Sequence, residues 1–328
     1  MPPKAGKVIV ADLKRRSKKG LEFAKRTLKA EKIEHPKLRE ALEHYLAHWS
    51  DFTHPGLFSI ACETVGGDPD AVVSTQAALA MMAAAFDIQD DIIDKSKLKL
   101  DSPTVYGKFG AEMALLLGNA FLIEGFKLFF DTTKMFSREK EKKMLEKTKK
   151  LLFEVGNAHA LEVGMKKRGK VTPNDYMKIT EMKAAGLEVD MYLGALFGGG
   201  EDAEVQILAK VGRILGILAT LRDDLIDVFD IEELCQRIAV NDLPLPLIFA
   251  MQERDSKEKV VSIISKPQMT DDDVAELVDV TLAARSAVEL KEKMQLLIGE
   301  GISMVSKLTN KELRNKLHLL LSFMIEDL

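Results

Sequence analysis

Six aspartates carry the chemistry this sequence could do. Asp90, Asp91 and Asp94 stand in the stretch Asp87-Ile88-Gln89-Asp90-Asp91-Ile92-Ile93-Asp94, directly after the wholly apolar run Ala77 to Phe86. On a helix, Asp90 and Asp94 lie one turn apart on one face, with Asp91 beside them. Unneutralised carboxylates there would cost several kcal/mol each. Oxygen ligands at that spacing suit a hard cation such as magnesium, which keeps some waters and commonly takes its remaining ligands from a substrate phosphate. One such cluster alone is more simply a solvated acidic helix end. The spacing returns, however, at Asp223-Asp224-Leu225-Ile226-Asp227, again within apolar sequence (Leu215, Ile217, Leu218, Leu221, Val228, Phe229). Two clusters on separate helices can face each other across a cavity, and two or three magnesium ions between them could clamp a diphosphate that neither helix would tolerate alone.

The elements that must position these residues are helices. Ala, Leu, Met, Lys and Glu are plentiful and aromatics make up only 6% of the chain. Gly and Pro collect at intervals instead of punctuating alternating strands, which predicts an all-α protein. Expected helices run from Val8 to Ala30, Pro36 to His48, Asp70 to Ser96, Phe109 to Phe130 and Ser137 to Val163. Leu98 to Pro103 and the basic stretch Gly164 to Val171 are expected loops. Thr172-Pro173-Asn174-Asp175 is a helix start, with Thr172 as cap, and that helix is expected to reach Phe197 before Gly198-Gly199-Gly200. Ala203 to Phe229 carries the second motif. Thr270 and Thr309 read as further caps, the latter with Glu312 completing a capping box. No linker rich in Pro, Gly or Ser divides the chain, so a single helical domain over 1–328 is expected, with 1–30 as a basic N-terminal helix.

Composition narrows the function classes. The 328 residues are 46% hydrophobic, enough for a large core, and a net charge of −4 gives no global signal for nucleic acid. The locally basic residues Lys14, Arg15, Arg16, Lys18, Lys19, Lys25 and Arg26 read as a solvated helix face. Two cysteines, Cys62 and Cys235, offer no metal spacing or disulfide framework and fit a reducing cytoplasm. No signal peptide is visible. The longest apolar run is about half the ~20 residues of a membrane span, so a soluble, cytoplasmic protein without a transmembrane segment is expected.

The chain resembles the trans-isoprenyl diphosphate synthases, the polyprenyl synthetase family with paired DDxxD motifs. Beyond the two motifs, the resemblance rests on Pro55, Gly66-Gly67-Asp68, Ser96, Pro103-Thr104, Phe109-Gly110, Gly118-Asn119-Ala120, Gly156-Asn157, Tyr176, Lys183-Ala184-Ala185, Gly194-Ala195 and Gly216, in the family's order over nearly the whole chain. It implies a helical bundle around a deep central cavity, usually a homodimer, in which magnesium holds an allylic prenyl diphosphate between Asp90, Asp91, Asp94 and Asp223, Asp224, Asp227. Ionisation of the allylic carbon–oxygen bond then gives a carbocation. Lys183 stands where the resemblance places a lysine on the diphosphate. Without it, a lysine on this apolar helix would read as a snorkelling surface residue. Phe86 and Met82, one and two turns below Asp90, are expected to set the floor of the prenyl-tail pocket, with the small Ala85 beside Phe86 leaving tail length open.

The family's site for isopentenyl diphosphate is largely missing. Its Gly-Lys-Arg-x-Arg-Pro segment reads Ser50-Asp51-Phe52-Thr53-His54-Pro55 here. The histidine seven residues before the first aspartate is Ala83, and the arginine pair is Lys99-Leu100, followed by Asp101 in place of glycine. The Phe-Gln before the second motif is Ala219-Thr220. After that motif the glycine-lysine loop is replaced by the shorter Asp230 to Pro246, in which Arg237 offers a substitute cation. A diphosphate needs fixed cations, and Asp51 would repel it. Asp87, a seventh carboxylate, is expected to pair with a lysine rather than to tune metals. Three readings follow. The chain elongates an allylic diphosphate with isopentenyl diphosphate held by His54, Lys97 and Lys99. Alternatively it keeps the ionisation half and acts as a terpene-cyclase-like enzyme or prenylates another acceptor. In the third reading it is a non-catalytic subunit of a complete synthase, against which six retained motif carboxylates argue.

Overall fold

The computed structural model describes residues 4–99, 102–168, 171–239, 242–266 and 269–326. Leu100 and Asp101, which take part in the degenerate acceptor motif, lie outside the described residues. In chain order the helices are α1 (Lys4–Ala30), α2 (Pro36–His48), α3 (Thr53–Thr64), α4 (Val73–Ile93), α5 (Val105–Phe109), α6 (Ala111–Thr133), α7 (Arg138–Arg168) and α8 (Pro173–Lys183). They continue as α9 (Ala185–Phe197), α10 (Asp202–Asp227), α11 (Ile231–Ala239), α12 (Leu245–Ala250), α13 (Arg254–Ile264), α14 (Asp271–Ala283), α15 (Arg285–Val305) and α16 (Lys311–Phe323). Among the described residues, the one sheet is a two-residue antiparallel pair, β1 (Leu98–Lys99) with β2 (Ser102–Pro103), where a loop was expected.

The two motif helices are core helices. Ala77 to Met82, with Ala84, Ala85 and Ile88, are buried on α4, which packs along α6. Gly125 of α6 permits that contact, since a side chain there would meet Met82 Cγ at 2.8 Å. The second motif ends α10, which lies against α9. Gly212 and Gly216 bring the backbones together: a Cβ at Gly212 would sit 2.4 Å from the Leu187 carbonyl oxygen, and one at Gly216 would sit 2.8 Å from Ala184 Cα. At that closest approach the expected single helix Pro173 to Phe197 is broken at Ala184, so that Lys183 closes α8 and α9 begins anew.

α1 is docked rather than lying free. Its buried stripe Ile9, Leu13, Ser17, Ala24 and Leu28 faces α3 and α4. Arg16, expected on a solvated face, is buried and paired with Asp12 at 2.8 Å and Glu63 at 2.5 Å. The amide of buried Gln76 donates to Pro55 O and Ser59 Oγ, each at 2.6 Å, tying α4 to α3. Thr172 and Thr270 cap their helices, and Asp175 and Asp273 complete the boxes. The expected cap at Thr309 is instead Asn310, whose side chain accepts from Leu313 N while its amide reaches the Glu63 carbonyl of α3. α4 begins after a 3-10 turn, Pro69–Val72, and α7 runs on through Arg168 into the stretch expected as a loop.

By length and composition, Pro69–Ile93 and Ala111–Thr133 are apolar enough to cross a membrane, which the longest unbroken apolar run does not reveal. Two-thirds of the apolar window in the first is buried inside the fold.

Candidate active site

Three adjoining cavities surround the ends of α4, α8 and α10. A central cavity of about 550 Å³ is lined by Asp223, Asp224 and Asp227 from the second motif, Asp94 from the first, Lys183, and Arg237 from α11. A smaller one, about 190 Å³, runs down α4 past Asp90, Phe86, Ala83, Met82 and Leu79, walled by Leu152, Val155 and His159 of α7 and Val189 of α9. A side cavity of about 430 Å³ lies over Asp91 and Asp87, between α2, the Ser50 to Thr53 segment and the β1–β2 pair. Lys183 borders the first two, and Asp87 borders the last two.

The first triad therefore fans out. Asp94 faces the central cavity, Asp90 the apolar one and Asp91 the side one, rather than all three facing the second motif. Asp90 and Asp91 are successive residues of α4, about 100° apart around its axis, which separates their faces. Lys95 adopts φ 58, and Ser96 N closes back onto the Asp91 carbonyl at 2.9 Å, so the chain turns sharply after Asp94. Met82 and Phe86 share one cavity, as the helical spacing predicts. His54, Lys97 and Lys99, expected to hold one acceptor together, line three different cavities.

The cations are already engaged. Lys183 Nζ lies 2.6 Å from Glu162 of α7. Arg237 donates to Asp224 at 2.8 Å and Asp227 at 2.5 Å, and also to the Tyr176 hydroxyl and the Asp242 carbonyl. Arg237, the substitute cation of the sequence reading, is thus held against the second motif. Lys99 Nζ sits 3.7 Å from Asp87, the expected lysine partner of the seventh carboxylate. His54 Nδ1 lies 2.6 Å from buried Asp190. Burial alone would push the imidazole down, but Asp190 and Asp51 outweigh it and raise it to about 10, so His54 is a cation bound to its own carboxylate.

Carboxylate crowding marks both motifs. Burial, with Asp87 and Asp90 adding against the opposing pull of Lys99, pushes the Asp91 carboxyl up to about 7. Burial with Asp227 and Asp224 pushes Asp223 up to about 6. Asp224 is 2% exposed, accepts from Tyr176 at 2.8 Å and from Arg237, and keeps a buried Oδ2 with no hydrogen-bond partner. An orphaned carboxylate oxygen beside mutually repelling acids fits a divalent cation.

A donor set unseen in the sequence adjoins the first motif. His159 and Glu162, three apart on α7, bring one ligand atom each to within 4.8 Å of an Asp90 oxygen, with His159 Nδ1 at 2.8 Å. Their one-face spacing was readable, but nothing local shows that α7 crosses Asp90.

The family model described as polyprenyl synthetase matches residues 35–281. The chain belongs to the polyprenyl synthetase family. Among curated relatives of this prenyltransferase family, the short chain isoprenyl diphosphate synthase of Methanothermobacter thermautotrophicus is 28% identical over 69% of this chain and 71% of its own. The geranylgeranyl diphosphate synthase of Methanosarcina mazei is 27% identical over 58% of each, so the aligned stretch leaves out over a third of that relative. The geranylgeranyl pyrophosphate synthetase of Pyrococcus horikoshii superposes with a TM-score of 0.85 at 23% identity, covering 98% of both chains. A polyprenyl synthase from Caulobacter crescentus, solved with calcium and isoprenyl diphosphate, gives 0.81 at 18% identity over 96% of this chain and 97% of its own. At these identities the superpositions establish the polyprenyl synthetase fold.

Proposed function

We propose that this chain is a magnesium-dependent prenyltransferase of the isoprenyl diphosphate synthase type, which ionises an allylic prenyl diphosphate held between its two acid motifs. The observation that carries the reading is the central cavity, where Asp94, Asp223, Asp224 and Asp227 meet Lys183 and Arg237 and from which Lys183 leads into an apolar slot along α4. Asp94, Asp223, Asp224 and Asp227, which share the central cavity, together with Asp90 and Asp91 once their side chains turn from the adjoining cavities, are the residues that would hold magnesium, which would offset the charge developing on the departing diphosphate. Lys183, turned from Glu162, adds a fixed positive charge to that leaving group. Arg237 holds Asp224 and Asp227 in place until the cations compete for them. Met82, Phe86 and Leu79 enclose the tail and keep water from the carbocation. The solved relative with calcium and isoprenyl diphosphate supports a cation-and-diphosphate site in this fold.

The clamp is testable without turnover. Magnesium plus inorganic diphosphate is expected to raise the melting temperature far more than magnesium alone, with about 2.7 kcal/mol of stabilisation at a ligand concentration ~100 times its Kd. Asp90→Ala or Asp223→Ala should abolish most of that gain, and an undiminished shift in both variants would falsify the clamp. The acceptor is a separate matter. Because His54, Lys97 and Lys99 line different cavities and two of them are paired to carboxylates, elongation with isopentenyl diphosphate is the weaker of the two catalytic readings.

A further inference from the structure

One side chain of α7 touches both the first acid motif and the wall of the apolar slot. His159 Nδ1 lies 2.8 Å from Asp90 Oδ1, and both atoms are shut off from solvent. The face of the same ring lies nearly parallel to Phe86, at 9° with centroids 6.5 Å apart, which is an offset aromatic pair. Phe86, Asp90 and His159 stand between two spaces and line both. On one side is the slot of about 190 Å³. On the other is a groove of about 240 Å³, lined further by Gln89 and Ile93 of α4 and by Gly156, Ala160 and Val163 of α7. α4 packs along α6, and α7 along α8 and α9, so the partition between slot and groove is built of these side chains. Small residues keep the groove open on the α7 side, where a Cβ at Gly156 would meet nothing within 4 Å. Ile93, Ala160 and Val163 give it apolar surface of the kind a prenyl chain covers.

A ring held at one edge by a carboxylate and across its face by another ring cannot shift without disturbing one of them. Asp90 is among the residues proposed above to hold magnesium, and a divalent cation competes with Nδ1 for its carboxylate. Resting on that clamp, we infer that His159 is a positioning residue that couples cation binding at Asp90 to the length of prenyl tail the slot accepts. With Asp90 against Nδ1, the partition is shut and the slot is short. With Asp90 drawn toward the central cavity, His159 loses the contact that fixes its ring, the two rings can part, and a longer tail passes between α4 and α7 into the groove. Linkage makes the effect reciprocal: a tail long enough to part the rings also releases Asp90 to the cations.

Binding without turnover separates the two contacts. The full chain is titrated by calorimetry, at low and at high magnesium, with inorganic diphosphate and with the unreactive thiolodiphosphate analogues of geranyl, farnesyl and geranylgeranyl diphosphate. In the unaltered protein, raising magnesium should shift preference toward the geranylgeranyl analogue by about fivefold or more. His159→Phe keeps a ring for Phe86 and removes the nitrogen from Asp90. It should tighten inorganic diphosphate by about fivefold and make tail preference independent of magnesium. His159→Asn keeps a polar group for Asp90 and removes the ring. It should favour the geranylgeranyl analogue at both magnesium levels and leave inorganic diphosphate unchanged. A tail preference in the unaltered protein that ignores magnesium, or variants in which all four ligands weaken together as in a general loosening of the fold, would overturn the coupling. If the unaltered protein binds none of the four, the function proposed above falls and the coupling with it, whereas ordinary binding with unmoved preferences removes the coupling alone.

Discussion

At the scale of residues, the acid motifs were legible because charge inside an apolar helix has few explanations. Their partners were not. Tyr176, Asp190, His159 and Glu162 are ordinary polar residues on amphipathic helices until the fold sets them beside Asp224, His54 and Asp90. The crowding has a pH consequence. Asp91 and Asp223 are raised in the folded chain, to about 7 and about 6, above an unfolded value near 3.9. The folded state therefore binds more protons than the unfolded state across that window, and stability falls as pH rises through it. Their favourable contribution is full below about pH 4 and gone above about pH 7. Without cations, the melting temperature should drop between pH 5 and pH 8, and Asp91→Asn with Asp223→Asn should flatten the drop. Magnesium should help more at pH 8 than at pH 5. A fall of equal size in the double variant would place its cause elsewhere.

Elements were legible where their ends carry chemical signals. The Thr172 and Thr270 boxes and the start at Pro36 stand where the sequence puts them. The break at Ala184 is announced locally only by Gly186 two residues on, and it falls where Gly212 and Gly216 of a different helix let the backbones approach. Helical periodicity separates Asp90 from Asp91, but which cavity each one meets is set by packing around α4 that the local sequence does not show. Along α4, Met82, Phe86 and Asp90, one and two turns apart, line the same cavity. Phe86 also stacks on His159, with ring centroids 6.5 Å apart and planes at 9°. Phe86→Ala should lengthen the slot and shift preference among geranyl, farnesyl and geranylgeranyl diphosphates toward a longer tail. Competition for diphosphate release would measure this. If Phe86 only packs the core, the variant loses stability of about 3–5 kcal/mol with length preference unmoved.

At the scale of the whole molecule, the fold leaves an apolar face of α6 uncovered. Leu115, Leu116, Ile123, Phe126 and Phe130 of α6 are exposed, and Phe153 of α7 lies beside them, at 69% exposure, around a groove shared with Phe129, Leu145 and Leu152. Spacings of three, four and seven put Leu116, Ile123, Phe126 and Phe130 on one stripe of the helix. The same α6 buries Leu117, Phe121 and Phe129 on the side that packs against α4 and α2, so its apolar composition reflects two faces with two destinations. We expect the outer face to bind a second copy of the chain, in line with the homodimer that the family resemblance implies. Fully covering a large apolar side chain contributes about 1.5–3 kcal/mol, so a handful on each side suffices to offset the cost of association. A bilayer is the competing cover, but Glu112, Asn119, Glu124, Lys127 and Asp131 interrupt this helix. Light scattering after size exclusion should return about twice the 36.5 kDa of one chain, and Ile123→Glu with Phe126→Glu should return one. Because α6 braces the helix that carries Asp90, the monomeric variant should also lose part of its melting-temperature gain with magnesium and diphosphate. A variant that stays dimeric would place the interface on another face, and one that partitions into lipid vesicles only before the substitutions would mark this face as a membrane surface.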